Sequence, residues 1–361
     1  MGRLGVILII VVLLGIGALL LIFDVFNVYG DSETSYQTRA SVSVGEPTQW
    51  NAEKVTGPTV LFDQEDRLFK MWYVGNGIIE RSGIGYATSA DGVNWDFLSR
   101  PDPLLNNLFI NPTGKTEKLW DTGGFTSVSV IKEGNLYRMW YSAREFDDPK
   151  RERIGYATSI DGLRWTKNST NPVLEFGDGT SWDNHSIGQP FVVKDGTTYK
   201  MWYTGWSMDK SGDKASSSIG YATSSDGIHW TKYDNNPVFT GGQEWNSASV
   251  GGPSVVVVQR NKLYELWFHG VNDNGDSAIG RAYSDDGVRW AVDERNPLMR
   301  DSGWNFLEPS IMLEGTTYYA WLEHIENTRS PGLDNIHFTA YPLTLQNNIY
   351  IIPASVPTPS Q

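Results

Sequence analysis

The stretch 198–230 contains the clearest copy of a pattern that recurs along most of the chain. It reads TYKMWYTG over 198–205 and SIGYATSSDGIHW over 218–230, with a polar segment between the two parts. The first part is an aromatic strand centred on Trp202, and the second is a strand followed by a turn that contains Asp226 and Gly227. Such runs, separated by Gly, Asp and Ser, are typical of short β-strands joined by tight turns.

Near-copies of this pattern follow one another after the N-terminus. Each copy opens with a Trp that precedes Asp or Asn, at Trp50, Trp120, Trp182, Trp245 and Trp304. Each then has an aromatic strand, centred on Trp72, Trp140, Trp202, Trp267 and Trp321. Four copies continue into a Ser-x-Asp-Gly-x-x-Trp turn, which ends at Trp95, Trp165, Trp230 and Trp290. Four short strands that recur about every 54 to 70 residues predict an all-β fold, a five-bladed β-propeller over residues 40–352.

The fifth copy lacks the Asp-Gly turn, so its outer strand has to come from elsewhere in the sequence. Residues 40–44 stand where every other copy has a fourth strand, immediately ahead of the next Trp-Asp or Trp-Asn pair. Residues 348–352 are the competing candidate. Because ring closure protects the edges of the sheets, we expect one of the two segments to pair with the fifth sheet.

The N-terminus carries a different signal. Residues 4–23 contain no charge and are rich in Leu, Ile and Val, and twenty helical residues span about 30 Å, the thickness of a bilayer core. Arg3 precedes this run, and Asp24 follows it. This charge distribution predicts one transmembrane helix within a membrane anchor of residues 1–30, with the rest of the chain outside the cytoplasm. A cleaved signal peptide is the alternative. A polar stalk (31–39) and a Pro- and Ser-rich tail (353–361) flank the predicted propeller.

Composition excludes several kinds of partner. The net charge is −13 with no basic cluster, which argues against nucleic acid and against docking on anionic lipid headgroups. The chain has no Cys and five scattered His residues, so the sequence predicts neither a metal site nor a cofactor. The 15 Trp and 17 Tyr residues suit a sheet protein or a sugar-binding protein.

Residues that occur four or five times are interpreted as architecture. The turn carboxylates can accept hydrogen bonds from the amides of their own turn, and the following Gly can adopt a left-handed conformation. The members are Asp91, Asp161, Asp226 and Asp286. The turn is similar to the Asp-box of sialidase propellers, where it is structural.

Three strings now support a family resemblance: KMWYTG (200–205), IGYATSSDGIHWTK (219–232) and NNPVF (235–239). They resemble the five-bladed propellers of the arabinanase, levansucrase and invertase superfamily, which includes glycoside hydrolase families 43 and 32 and the mannoside phosphorylases. The resemblance covers about residues 40–345. It implies a carbohydrate partner and, if the protein is an enzyme, a glycosidase or a glycoside phosphorylase.

The same resemblance indicates where catalytic carboxylates should lie, at the start of the innermost strands and in Asp-Pro, Glu-x-Pro or Glu-Pro contexts. The corresponding positions are Gly57-Pro58, Ser127-Val128, Gln189-Pro190, Gly252-Pro253 and Glu308-Pro309. Glu308 is the one carboxylate among them, whereas glycoside hydrolysis ordinarily uses two. We expect a second carboxylate from the loops between the second and third strands, and the candidates are Glu80, Glu145 and Glu323. The candidates for substrate binding in the same loops are Trp206 as a sugar platform, Arg81, Arg144, His269 and His324. Gln189 at the start of the third inner strand, and Asp183 and His185 just ahead of that strand, are further candidates.

Two hypotheses follow from these residues. One is a membrane-anchored glycan-active enzyme with rearranged catalytic groups, with Glu308 as the acid. The other is a surface propeller that binds a glycan or a protein without chemistry, as the uncharged axial residues Gly57, Ser127, Gln189 and Gly252 suggest. A structural envelope protein without a ligand pocket is a third possibility.

Overall fold

The computed structural model divides the chain into two compact units, residues 1–37 with 354–361 and residues 38–353. The residues that it describes are 7–13, 18–24, 40–42, 54–77, 81–98, 105–106, 120–145, 148, 150–208, 215–258, 263–300, 304–314, 317–326, 337–346 and 349–351. The predicted stalk (31–39) and tail (353–361) therefore lie outside the described residues.

The first unit contains a β-hairpin in the segment for which a helix was predicted. Strands β1 (Ile7–Leu13) and β2 (Ala18–Asp24) pair antiparallel, with Ile7 opposite Asp24. The sequence offers a physical reason: the run is rich in Ile and Val, which favour strands, and Gly15 and Gly17 at its centre disfavour a continuous helix. Among the described residues, no helix is long and apolar enough to cross a membrane.

Within its described residues, the second unit contains five antiparallel sheets that follow chain order. The first sheet consists of β4 (Lys54–Asp63), β5 (Leu68–Gly77), β6 (Arg81–Ser89), β7 (Asp96–Phe97) and β8 (Leu105–Asn106). The second consists of β9 (Gly124–Glu133), β10 (Leu136–Arg144), β11 (Glu152–Ser159) and β12 (Thr166–Lys167). The third consists of β13 (Ser186–Asp195), β14 (Thr198–Met208), β15 (Ala215–Ser224) and β16 (Thr231–Lys232).

The fourth sheet follows a short 3₁₀ helix (Glu244–Asn246). It consists of β17 (Ser249–Val258), β18 (Leu263–Val271), β19 (Ser277–Ser284) and β20 (Ala291–Val292). The fifth consists of β21 (Trp304–Glu314), β22 (Thr317–Glu326), β23 (His337–Gln346) and β24 (Ile349–Ile351), and it also includes β3 (Ala40–Val42). Both segments offered by the sequence for closure pair with β23, since Val42 lies opposite Phe338 and Tyr350 lies opposite Leu345.

The innermost strands form a ring. Strand β4 packs on β9, β9 on β13, β13 on β17, β17 on β21, and β21 packs back on β4. The all-β propeller fold predicted from the repeats is therefore confirmed.

The central tryptophans join neighbouring sheets through the Asp-Gly turns. Four of the five central tryptophans face a sheet that has an Asp-Gly turn. Each of these four indoles is fully buried, and its Nε1 donates a hydrogen bond to the glycine carbonyl of that turn in the next sheet. The pairs are Trp72 with Gly162 (2.8 Å), Trp140 with Gly227 (2.8 Å), Trp202 with Gly287 (2.8 Å) and Trp321 with Gly92 (3.0 Å). The last pair links the fifth sheet to the first.

The Asp-Gly turns have the internal bonds that the sequence predicted. In the first turn, Asp91 Oδ1 accepts hydrogen bonds from the amides of Val93 (2.9 Å) and Asn94 (2.8 Å), and the other three turns repeat this arrangement. These amides and Ser89 lower the pKa of Asp91 to about 2, although partial burial opposes them. The structural interpretation of the turn is therefore confirmed.

Candidate functional site

The innermost strands share a bulge at the end where they begin, which surrounds the opening of the central channel. Pairing with the second strand shifts register between Thr56 and Thr59 in the first sheet, and at the matching place in the third, fourth and fifth sheets. A residue before proline at each of these bulges has a left-handed backbone: Gly57 (φ +56°), Gln189 (φ +50°), Gly252 (φ +56°) and Glu308 (φ +43°). Proline suits a bulge because it cannot donate a ladder hydrogen bond. We call this opening, lined by Gly57, Ser127, Gln189, Gly252 and Glu308, the mouth.

Two mouth residues hold this backbone conformation without being glycine. Among the described residues, Gln189, Glu308 and Arg67 are the non-glycine residues with positive φ. A side chain in this region costs about 1–3 kcal/mol, and such strain is concentrated at functional sites. The backbone therefore singles out Gln189 and Glu308, both of which the sequence predicted as site residues.

The side chains of these two residues meet across the channel. Gln189 Nε2 donates a hydrogen bond of 2.7 Å to Glu308 Oε1. Gln189 Oε1 accepts hydrogen bonds from the amide of Gly252 (2.9 Å) and from Thr204 Oγ1 (2.7 Å). Because a backbone N–H can only donate, Oε1 must face Gly252, and Nε2 therefore faces the carboxylate.

The two mouth glycines provide space as well as a left-handed backbone. A Cβ on Gly57 would lie 2.9 Å from Glu308 Oε2, and a Cβ on Gly252 would lie 2.7 Å from His269 Nδ1. About 20 Å³ between the mouth residues is open to the centre of a water-sized sphere. This space admits about one water molecule, so a larger ligand could lie over the mouth but not inside the channel.

A second series of residues holds the bulges in place. The residue two positions after the central Trp in each sheet is buried, and the series is Val74, Ser142, Thr204, His269 and Glu323. The amide of Gln189 donates to Ser142 Oγ (3.4 Å), and the amide of Gly252 donates to Thr204 Oγ1 (2.9 Å).

Val74 is the exception in this series, because it has no group that can accept a hydrogen bond. The inner strand of the next sheet has Ser127-Val128, without the proline, and Ser127 is not among the residues with positive φ. Two members of this series, His269 and Glu323, were predicted as site residues. The series as a whole was not predicted, although its fixed distance from the repeated Trp was a usable signal.

His269 supports the backbone of Glu308. It lies in strand β18 and not in a loop, so the predicted loop location is wrong. Its Nδ1 accepts a hydrogen bond from the amide of Glu308 (3.4 Å), which assigns the remaining ring proton to Nε2. Complete burial lowers the pKa of His269 to about 4. The imidazole is therefore neutral at pH 7 and can keep accepting this bond.

Glu323 also lies in a strand, β22, and not in the predicted loop. Its side chain is buried, and its Oε2 accepts a short hydrogen bond from Thr56 Oγ1 in the first sheet. This contact joins the fifth sheet to the residue before Gly57. The geometry thus gives Glu323 a part in holding the ring closed.

A carboxylate that the sequence analysis missed, Glu152, lies beside the inner strand of the third sheet. Its Oε1 accepts from Arg144 Nε (2.9 Å), and its Oε2 accepts from Thr126 Oγ1 (2.8 Å). Thr126 Oγ1 lies 2.7 Å from Ser142 Oγ, which accepts from the amide of Gln189. Hydrogen bonds therefore connect Glu152 to Gln189 and onward to Glu308.

The repeat itself contained the signal for Glu152. The residue two positions before the repeated Ile-Gly is a serine in the first, third and fourth sheets: Ser82, Ser217 and Ser277. In the second sheet this residue is Glu152. Each of these serines donates a hydrogen bond to a carbonyl of the next inner strand, at Phe125, Val250 and Phe306. A glutamate in place of a structural serine marks a position at which the second sheet departs from the common architecture.

Trp206 lies next to Glu152. It is half-buried near the end of strand β14, again in a strand rather than in the predicted loop. A Cβ on Gly188 would lie 2.5 Å from Glu152 Oε2 and 3.3 Å from Trp206 Cζ3, so both groups converge on one point above this glycine. The amide of His185 donates to the carbonyl of Trp206 (3.1 Å). Burial, together with the nearby charges of Arg151 and Lys150, lowers the pKa of His185.

Other predicted residues bind partners that do not line the mouth, or lie outside the described side chains. Asp183 is buried and binds Lys232 Nζ (2.6 Å), as expected for a structural Trp-Asp pair. Glu145 pairs with Arg153 (2.7 Å). Glu80 lies outside the described residues, and for Arg81 and His324 the described part is the backbone, in β6 and β22.

The fold is a β-propeller that resembles the solved propellers of family-43 and family-32 glycoside hydrolases. A thermostable family-43 glycoside hydrolase superposes with a TM-score of 0.63 at 19% identity, and the match covers 85% of this chain and 95% of that chain. A family-32 β-fructofuranosidase of Bombyx mori superposes with a TM-score of 0.60 at 14% identity, covering 87% of this chain and 64% of that chain. At these identities the likeness establishes the fold.

The sequence is similar to an uncharacterised protein and to part of a sugar deacetylase. No family model matches the chain. An uncharacterised protein of Mycobacterium tuberculosis is 29% identical over 232 residues, which cover 63% of this chain and 72% of that protein. The A type blood N-acetyl-α-D-galactosamine deacetylase of Flavonifractor plautii is 23% identical over 177 residues, 46% of this chain and 22% of that enzyme.

Proposed function

We propose that this protein is a five-bladed carbohydrate-binding propeller, whose blades are the five sheets described above and whose glycan site is the mouth. The observation that carries the proposal is the strained pair of Gln189 and Glu308, hydrogen-bonded at 2.7 Å and linked to Glu152. The protein retains two costly backbone conformations to bring an amide and a carboxylate together at the channel opening.

The chemistry of the mouth suits a sugar. A sugar ring has an apolar face that stacks on an indole and hydroxyl groups that need both donors and acceptors. Trp206 supplies the indole, whereas Glu308 and Gln189 supply an acceptor and an amide within hydrogen-bonding reach of each other. The similar proteins include glycoside hydrolases and a deacetylase of an N-acetyl sugar, which supports a glycan ligand.

Binding is favoured over hydrolysis because Gly57, Ser127 and Gly252 occupy mouth positions without a carboxylate. Cleavage of a glycoside is the second candidate function, and one observation favours it. Glu152 and Glu308 are two carboxylates on the same hydrogen-bond network, as an acid and a second carboxylate would be in a glycosidase.

The test measures binding and turnover together on a panel of oligosaccharides. We expect binding by the wild type that falls at least tenfold in Trp206→Ala, since aromatic stacking contributes about 0.5–1.5 kcal/mol beyond the area that it buries. Trp230→Ala removes a half-buried turn tryptophan that packs on Trp140 and does not line the mouth; it is the control and should bind normally once folded. Absence of binding across the panel would refute the proposal, and turnover abolished by Glu152→Gln would favour the second candidate.

We also propose that the protein is held at the cell membrane with the propeller outside the cytoplasm. The support is the uncharged run at residues 4–23, preceded by Arg3 and followed by Asp24. We expect the full chain to sediment with membranes and to be protease-accessible in intact cells. Recovery in the cytosolic fraction would contradict this location.

A further inference from the structure

Arg144 presents terminal hydrogen-bond donors from which none of the described residues accepts. Its side chain is 41% exposed, and its Nε donates to Glu152 Oε1 at 2.9 Å. Among the described residues, Nη1 and Nη2 of Arg144 make no hydrogen bond. Arg153 on the same sheet differs, because its Nε binds Glu175 and its Nη1 binds Glu145, both at 2.7 Å.

Glu152 orients the Arg144 guanidinium and does not occupy its outer edge. The Glu152 side chain is 12% exposed, and its second oxygen is engaged by Thr126 Oγ1. A carboxylate that receives Nε alone leaves the two terminal nitrogens of the planar fork free to bind another group. Two parallel N–H donors of this kind match a carboxylate in a bidentate arrangement.

Glu152 connects Arg144 to the surroundings of the indole proposed as the sugar platform. Glu152, which holds Arg144, and Trp206 converge on the same point above Gly188, at 2.5 Å and 3.3 Å from an ideal Cβ. Two further basic residues, Lys150 and Arg151, act on His185, whose amide binds the carbonyl of Trp206. Arg151 is ion-paired with Asp148 at 3.4 Å, whose charge acts on His185 in the opposite direction.

We propose that Arg144, Glu152 and Trp206 form a subsite for an acidic sugar, a pyranose that carries a carboxylate. The ring of this sugar stacks on Trp206, and its carboxylate accepts two hydrogen bonds from Nη1 and Nη2 of Arg144. This inference rests on the proposed glycan-binding function and adds to it the charge of the ligand.

The experiment compares two probes with the same sugar rings, of which one lacks the carboxylate charge and carries a methyl ester in its place. Trigalacturonic acid and its methyl ester have the same sugar rings, but the ester lacks the negative charges. We expect the wild-type full chain to bind the acid at least tenfold more tightly than the ester in titration calorimetry. In Arg144→Gln the two affinities should become equal, because the variant loses the charged fork. Arg164→Gln, with an 88% exposed arginine in an Asp-Gly turn, is the matched control and should keep the preference.

Each outcome is decisive. A preference for the acid that Arg144→Gln removes and Arg164→Gln retains supports the subsite. Equal binding of acid and ester by the wild type overturns the acidic-sugar inference and leaves glycan binding intact. A preference for the acid that survives in Arg144→Gln also overturns it. If the protein binds neither these two probes nor any neutral oligosaccharide of the panel, both proposals are overturned together.

Discussion

Gly252→Ala is expected to lower the free energy of unfolding by about 3 kcal/mol or more. Among single methyl groups added at the mouth, we expect this one to have the largest effect. Gly252 has φ +56°, where an L-residue costs about 1–2 kcal/mol. The new Cβ would also lie 2.7 Å from His269 Nδ1 and 3.1 Å from Glu308 Cα. His269 is buried and its Nδ1 accepts from the amide of Glu308, so the collision adds to the backbone cost. Urea unfolding of both proteins measures the difference.

Gly196→Ala separates these two contributions. Gly196 has nearly the same backbone conformation, φ +60°, but nothing lies within 4 Å of its ideal Cβ. This control should lose about 1–2 kcal/mol, the backbone cost alone. Equal losses in the two variants would show that the mouth is not tightly packed around Gly252, contrary to its structure.

Glu308→Gly is expected to reduce glycan binding at least tenfold while lowering the free energy of unfolding by about 0–3 kcal/mol. Glycine relieves the left-handed strain of about 1–2 kcal/mol at φ +43°. The variant also loses the hydrogen bond from Gln189, which contributes about 1.5–3 kcal/mol to a charged acceptor, and it adds chain entropy that costs about 0.5–1 kcal/mol. The stability terms partly cancel, whereas the ligand loses its carboxylate partner.

Glu314→Gly, at the far end of the same strand, is the control for the Glu308 variant. Glu314 is exposed and is not among the residues with positive φ, so its replacement should cost about 0.5–1 kcal/mol and leave binding unchanged. A Glu308→Gly protein that binds glycans normally but unfolds several kcal/mol more easily would assign Glu308 a structural role. Calorimetric titration and urea unfolding of the same preparations provide both readouts.

The repeat made most of the fold predictable. Trp72, Trp140, Trp202 and Trp321 recur because each must place one indole N–H on a glycine carbonyl of the next sheet. A requirement repeated in this way leaves a periodic trace in the sequence. The two closing strands were less predictable, because 40–42 and 349–351 both offer free backbone groups and both pair with β23.

The candidate site was only partly predictable. Glu308 and Gln189 were identified because proline follows each of them at the start of an inner strand. Glu152 was not predicted, because the second carboxylate was expected in the loops between second and third strands, whereas Glu152 lies in a third strand, β11. Its proximity to Trp206 depends on Gly188, a residue 36 positions further along the chain, whose missing side chain leaves room for both.

The sequence by itself determined the propeller, because strand periodicity and turn chemistry are local properties that each copy of the repeat states again. It also determined that four of the five mouth positions lack a carboxylate. The tertiary structure alone decided that Gln189 and Glu308, 119 residues apart, share a hydrogen bond on strained backbones, and that His269 and Glu323 support neighbouring sheets. The physical reason is that a ring brings the starts of distant strands to one axis, and contacts across an axis have no fixed spacing in the chain.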